Sequence, residues 1–352
     1  MANERLLPGH LMHPPEVFVF GLNTFCNLHC RMCDVGTGHS DTNFGANLVG
    51  AKNRVMSLDL CKRAMDQIAA WSPGAVVAFV YTEPLAWPPI ASAVAHATKL
   101  GLRPQVTTNG LLLPRHAAAL VEAGCAELVV SIDGPRQVHD FIRRKDGSFD
   151  RALEGIGMVR TLDPDMPIIV VAAVTEWNTG QMAQLARDLS GSGITRLLVI
   201  HNQFVAEGVA RMHNDRFPLL TATASNIFES DVTAIDLEAL SQDLEHMKRA
   251  AHPFALAIVP DITDIAALKT YYHDPARYVG TTCKDPFRIM MIDADGEVIP
   301  AHGRCFRFPV GNIDDQSLKD LWNAKPLRDL RRTLVKAGGL LPACSRCCGG
   351  VT

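Results

Sequence analysis

No stretch of this 352-residue sequence approaches the roughly 20 consecutive apolar residues that a membrane-spanning helix needs. The longest apolar runs, such as LVVSI and IIVVAAV, have the length of buried strands. The opening residues MANERLLPGHLMHPPE lack a basic start, a long apolar stretch and a small-residue cleavage site, so a cytoplasmic location is expected rather than export. Positive charge is not in surplus either. With 34 Lys and Arg against 37 Asp and Glu, the net charge is −3, which offers no field for a polyanion, so neither nucleic acid nor a membrane surface is an expected partner. Internal repeats and low-complexity tracts are missing as well.

Cysteine, by contrast, is plentiful. A reducing compartment opposes structural disulfides, so ten cysteines there point to metal or redox work. Eight fall in two clusters, Cys26/Cys30/Cys33 and Cys283/Cys305/Cys344/Cys347/Cys348. Cys61 borders the apolar stripe of a helix expected from Ser57, and Cys125 enters a strand; both read as small buried hydrophobes.

From residue 17 to about 204, short β-rich runs alternate with segments of helical period, as repeated βα units around a parallel sheet require. Six strands are expected: VFVFGL (17–22), VVAFVY (76–81), RPQVTT (103–108), ELVVSI (127–132), IIVVAAV (168–174) and RLLVIHN (196–202). The pattern blurs between about 205 and 275, where LEALSQDLEHMKRAA reads as a helix and FALAIVP as a further strand. After residue 280 a hairpin is expected around DADG, with Gly296 where positive φ is needed, followed by one or two helices and a cysteine-rich end.

The first cysteine cluster, C-x3-C-x2-C, directly follows the first expected strand, where a βα barrel carries its chemistry. A structural zinc closes its shell with four ligands, and here the fourth is missing. His29 is a poor substitute, because its place beside Cys30 turns it away from a shared site. A four-iron cluster held by three thiolates keeps one iron open for a substrate or cofactor.

In that order and spacing, the CxxxCxxC loop, YTEP (81–84), TTNG (107–110), SIDGP (131–135), VHDFIRR (138–144) and GSFDRALEGI (147–156) resemble the radical S-adenosylmethionine (SAM) superfamily. The likeness is to the subgroup with a C-terminal SPASM or twitch extension. It implies an α/β fold, a partial (β/α)6 TIM-like barrel with a C-terminal twitch-type auxiliary iron–sulfur domain. The expected divisions are an N-terminal extension (1–16), the radical SAM partial barrel (17–210), a completing and bridging segment (211–279) and the auxiliary domain (280–352).

The resemblance further implies a [4Fe-4S] cluster on Cys26, Cys30 and Cys33 whose open iron chelates SAM. One electron then cleaves SAM to a 5′-deoxyadenosyl radical that abstracts a hydrogen atom, chemistry belonging to the cofactor while the protein supplies placement. On this reading Glu83 accepts from the SAM ammonium, Ser131 and Asp133 face the ribose hydroxyls, Arg143 takes the carboxylate, and Met32 and Asn109 complete the cofactor site. Met32 stands where the family usually has an aromatic residue, and Tyr81 and Thr82 stand where it has glycines.

By itself, the closing CxxC of the second cluster is compatible with zinc, iron–sulfur or redox roles. Its surroundings, CKDP, DGEVIP, GNI (311–313), LWN (321–323) and CSRC, resemble the twitch module. That implies a second, auxiliary [4Fe-4S] cluster with every corner taken by Cys283, Cys305, Cys344 and Cys347, suited to relaying an electron. Cys348 is left as a bystander, an alternative ligand or a catalytic hydrogen donor. His201, ending the sixth strand, reads equally as structural or as facing substrate.

Only 25 residues precede Cys26, so no N-terminal peptide-binding domain is expected and a small-molecule substrate is. Oxidation or epimerisation of a sugar- or cyclitol-like biosynthetic molecule leads, with a flavodoxin- or ferredoxin-type electron donor. Two rivals are a peptide or protein maturase working with a separate recognition protein, and a zinc-bound scaffold.

Overall fold

The computed structural model describes residues 9–50 and 53–347. The first half of the chain runs β1 (Val17–Phe20), α1 (Asn43–Leu48), α2 (Leu58–Trp71), β2 (Val76–Phe79), α3 (Ile90–Lys99), β3 (Arg103–Thr108), α4 (Leu113–Glu122), β4 (Glu127–Ser131), α5 (Arg136–Arg143) and α6 (Ser148–Leu162). It continues with β5 (Ile168–Ala173), α7 (Met182–Asp188), β6 (Arg196–Ile200), α8 (Glu207–Arg216), α9 (Leu237–Arg249), β7 (Ala255–Val259) and α10 (Ile265–His273). The last stretch holds β8 (Ile289–Ile292), β9 (Val298–Pro300), α11 (Leu318–Trp322) and α12 (Lys325–Lys336).

Nine strands form one open sheet in the order β7-β6-β5-β4-β3-β2-β1-β8-β9. All neighbours are parallel except β8 and β9, which pair antiparallel. The six expected strands are all present. The sheet exceeds the expected six βα units because FALAIVP supplies β7 beside β6. The hairpin expected to open a separate unit instead continues the same sheet, with Val17 to Phe20 in register with Ile289 to Ile292. The reason lies in the sequence IMMI, which is apolar on both faces and gains most by burial between two strands. Helices α1, α5, α8 and α10 have no counterpart among the sequence-based expectations.

Alternation along the strands separates two environments. Val106, Val130, Val170 and Ala172 are fully buried under the helices. Their alternates Gln105, Thr107, Val129, Ser131, Val171 and Ala173 line an interior cavity, where a closed eight-stranded barrel would be filled by side chains. Side chains cap the helices that hold this curvature. Ser57 Oγ accepts from Leu60 N at 3.1 Å. Asp140 accepts from Gly147 N, Ser148 Oγ and Phe149 N at 2.7–2.9 Å, fixing the start of α6.

Residues before β1 dock on the far end of the chain. Leu11 exchanges two hydrogen bonds with the Asn323 side chain, and Trp322 Nε1 donates to the His13 carbonyl at 3.0 Å. Among the described residues, no helix is long and apolar enough to cross a membrane.

Two glycines of α6 separate packing from propensity. A Cβ on buried Gly155 would stand 2.5 Å from Leu113 Cγ, whereas one on exposed Gly157 would meet nothing within 4 Å. Gly155→Ala should therefore lower the unfolding free energy by about 1–3 kcal/mol, and Gly157→Ala should raise it by up to about 1 kcal/mol; urea unfolding of the two variants checks both signs.

Candidate active site

The loop after β1 carries the first three cysteines, and its shape is dictated from several sides. Asn23 Nδ2 donates to the Glu83 carbonyl, and the Thr82 hydroxyl donates to Asn23 Oδ1 at 2.9 Å. Thr24 pairs through its backbone and hydroxyl with Arg54, whose guanidinium reaches Asp293 and Asp295 at 2.8 and 2.9 Å in the turn between β8 and β9. Gly36 is required by contact: a Cβ there would lie 2.6 Å from both the nitrogen and the oxygen of Cys30. Asp34, which sequence reasoning missed, is buried and accepts from Ser225 Oγ at 2.6 Å and Asn226 N at 2.7 Å, tying this loop to the bridging segment.

Cys26, Cys30 and Cys33 face a cavity of about 580 Å³ together with Met32, Asn109, Ser131 and Arg143, within the range of small-molecule sites. His29 is exposed while Cys30 is buried, so that histidine points away as its position predicted. Burial pushes the Cys26 thiol up to about 11 and that of Cys30 to about 12, with the neighbouring thiols adding to the rise. Three soft donors that repel one another as thiolates, with no fourth thiol among the described residues of the cavity wall, form a donor set suited to a cationic iron–sulfur core with one position open.

Arg143 backs this set. Its Nε donates to Asp133 Oδ2 at 2.6 Å and its Nη1 lies 3.7 Å from Cys30 Sγ. Burial works against its charge, but the Asp133 carboxylate and Cys30 outweigh it and hold the guanidinium protonated. Asn109 Nδ2 donates to Asn27 Oδ1 at 2.7 Å and lies 4.0 Å from Cys26 Sγ.

Two expected contacts fall elsewhere. Asp133 does not line the cavity; its carboxylate is taken by Arg143 and by Ala173 N at 3.1 Å, so it orients Arg143 instead of meeting a ribose. Glu83 is fully buried and also absent from the wall. Its oxygens accept from Thr108 Oγ1, Leu85 N and Asn109 N at 2.7–3.0 Å, which locks the ends of β2 and β3 together. Burial raises the Glu83 carboxyl above its usual range, opposed by those donors. The expected ammonium contact thus has no counterpart at the cavity surface.

Tyr81 and Thr82 adopt φ of +67° and +44°. The left-handed backbone that glycines favour is present without the glycines, at a cost of order 1–3 kcal/mol per residue.

His201 lines the cavity, but both ring nitrogens are engaged. Nε2 faces the Ile262 carbonyl at 3.0 Å and so carries the hydrogen, while Nδ1 accepts from the Tyr272 hydroxyl at 2.8 Å. Burial lowers the imidazole to about 4, so the structural reading prevails. Cys61 and Cys125 are buried, and burial pushes both thiols up to about 12.

Cys283, Cys305, Cys344 and Cys347 line a second, smaller cavity of about 50 Å³, beside a local apolar cluster of Phe306, Leu330, Leu334, Leu340 and Leu341. Among the described residues, neither cavity brings three His, Cys, Asp or Glu side chains together on a single metal ion. His302 was not anticipated. Its Nδ1 accepts from Arg304 N at 3.2 Å, so Nε2 carries the hydrogen toward Asp285 (3.2 Å) and Cys347 Sγ (3.7 Å). The CKDP run, which contains Asp285, and a histidine three residues before Cys305 were the available signal. Cys348 lies outside the described residues. The two cavities share Phe44, Gln203 and Arg304 as walls.

A family model described as the radical SAM superfamily matches residues 22–186, and SPASM, an iron–sulfur cluster-binding domain, matches 283–348. The chain belongs to the radical SAM superfamily. Its cofactors are therefore SAM, a [4Fe-4S] cluster and auxiliary iron–sulfur. The chain is 29% identical over 341 residues to the AdoMet-dependent heme synthase of Methanosarcina barkeri, covering 91% of this chain and 86% of that protein. It is 25% identical over 250 residues to the PqqA peptide cyclase of Methylocella silvestris, covering 69% and 60%. The crystal structure of Streptococcus suis SuiB bound to S-adenosylmethionine superposes with a TM-score of 0.66 at 16% identity, covering 98% of this chain and 75% of that one, a likeness of fold.

Because His201 is neutral in the fold with its pKa near 4, and an unfolded chain regains the ordinary value of 6.5, the unfolded state binds the extra proton between those limits. Its contribution to stability is present above pH 6.5 and should be lost as pH falls toward 4. Urea midpoints measured at pH 7 and pH 5 should fall with acid, and His201→Asn should reduce that difference while 5′-deoxyadenosine formation persists.

Proposed function

We propose that this chain is a radical SAM oxidoreductase that removes a hydrogen atom from a small biosynthetic molecule of sugar or cyclitol type, with dehydrogenation as the outcome. The observation that carries this reading is the pair of adjoining cavities, one walled by three thiols and the other by four, with Phe44, Gln203 and Arg304 between them.

Cys26, Cys30 and Cys33 hold the SAM-binding cluster, and Cys283, Cys305, Cys344 and Cys347 the auxiliary one. With SAM bound, the first cluster supplies an oxidant able to take hydrogen from an unactivated C–H bond. Arg143, held charged by Asp133, orients the SAM carboxylate; Ser131, Asn109 and Met32 border the nucleoside, and Glu83 fixes the Asn109 backbone from behind. The aliphatic wall of Val129, Val171, Ala173 and Ile200 keeps water from the reacting carbon. His201, with both nitrogens occupied, moves no proton.

Dehydrogenation is favoured over epimerisation by the four-thiol set in the adjoining cavity. Four thiols close by give the product's second electron somewhere to go. A flavodoxin- or ferredoxin-type protein supplies the first. The peptide-modifying alternative draws on the cyclase named above, and a tetrapyrrole substrate draws on the heme synthase, which matches over more of its length.

Anaerobically prepared protein should contain about eight irons per chain, falling to about four when Cys26, Cys30 and Cys33 are replaced by Ala. SAM should perturb the spectrum of the reduced wild type alone. With deuterated sugars or cyclitols, label should appear in 5′-deoxyadenosine; transfer only from a peptide would move the assignment to the maturase.

A further inference from the structure

We propose that Arg304 is the substrate anchor, and that the substrate therefore carries a carboxylate. This inference rests on the small-molecule reading above and narrows it. The cavity wall contains no Asp or Glu and two arginines, Arg143 and Arg304. Arg143 is paired with Asp133 and stands beside Cys30, on the side of the cavity assigned to SAM. Arg304 is half-buried, and among the described residues no carboxylate or carbonyl accepts from its guanidinium.

The group is nevertheless held in place. Its carbon lies 4.1 Å from the centre of the Phe44 ring, so the guanidinium plane rests on an aromatic face and its N–H edges stay free for a planar, two-oxygen acceptor. The backbone beneath it is pinned on both sides. Arg304 N donates to His302 Nδ1, and Asn47 Nδ2 donates to the carbonyls of Gly303 and Cys305 at 3.0 and 2.9 Å. A preorganised, partly desolvated cation facing a cavity wall without Asp or Glu is placed to take an anion, and bidentate pairing with a carboxylate is the geometry that guanidinium matches. Arg304 also sits in the wall shared by the two cavities. Anchoring there would hold the substrate on the side nearer the four-thiol set, with Arg143 beside Cys30 left for the SAM carboxylate.

The test uses SAM-loaded holoenzyme under anaerobic conditions and two acid–ester pairs, D-glucuronate with its methyl ester and protoporphyrin IX with its dimethyl ester. Affinities are read by calorimetry or absorbance, without turnover. At least one acid should bind the wild type about tenfold or more tightly than its ester. Arg304→Gln should abolish that preference with SAM affinity unchanged, and Arg304→Lys should restore part of it. Equal binding of acid and ester, no binding of either acid, an unchanged preference in Arg304→Gln, or a loss of SAM affinity in its place would overturn the proposal. If substitution costs auxiliary iron, the wild-type acid-to-ester ratio alone decides between the two outcomes. Iron content and SAM cleavage by the wild type test the underlying reading separately.

Discussion

Three buried carboxylates, Asp34, Glu83 and Asp133, hold the rim on which the thiols and the Arg143 cation of the cofactor site are mounted. Each spends its oxygens tying its own segment to another. Asp34 joins the cysteine loop to residues 225–226, Glu83 joins the ends of β2 and β3, and Asp133 joins α5 to β5 through Arg143 and Ala173. Loops at the ends of an open sheet have no barrel closure to constrain them. Buried charges fully matched to N–H and O–H donors supply that constraint, because leaving any donor unpaired costs about 1–3 kcal/mol. Such pairing contributes less to net stability than to orientation, since desolvation offsets much of the gain.

This arrangement explains how much of the site could be read in the sequence. The three cysteines after β1, the six strands and the four later cysteines follow from spacing and periodicity, which are local properties. Sequence assigns Glu83 and Asp133 to strand ends without giving the direction of their side chains. Both acids turn inward to the scaffold, while Ser131, two residues from Asp133, faces the cavity. Asp34 and His302 escaped notice because their partners lie 191 and 45 residues away. The attachment of β8 to β1 was equally out of reach, since a hairpin signal specifies a turn but not the strand it joins.

Tyr81 and Thr82 make the same argument from the opposite direction. Their identities depart from a glycine pair, yet the backbone holds positive φ at both. The strain is sustained by neighbours: Thr82 is fastened to Asn23, and Tyr81 packs edge-on against Phe44 at 5.9 Å. Here tertiary contacts impose a conformation that local preference opposes. The carbonyl of Thr82 consequently points to Cys26 Sγ, 3.6 Å away.

Phe44 links the cysteine-loop side of the site to the auxiliary segment. It begins in α1, supports Tyr81 on one side and Arg304 on the other, and forms part of both cavity walls. An aromatic ring there forms a wall common to the two thiol-lined cavities. One short helix between the cysteine loop and the auxiliary segment, anchored by Asn47 at its far end, thus sets the spacing of the two thiol-lined cavities.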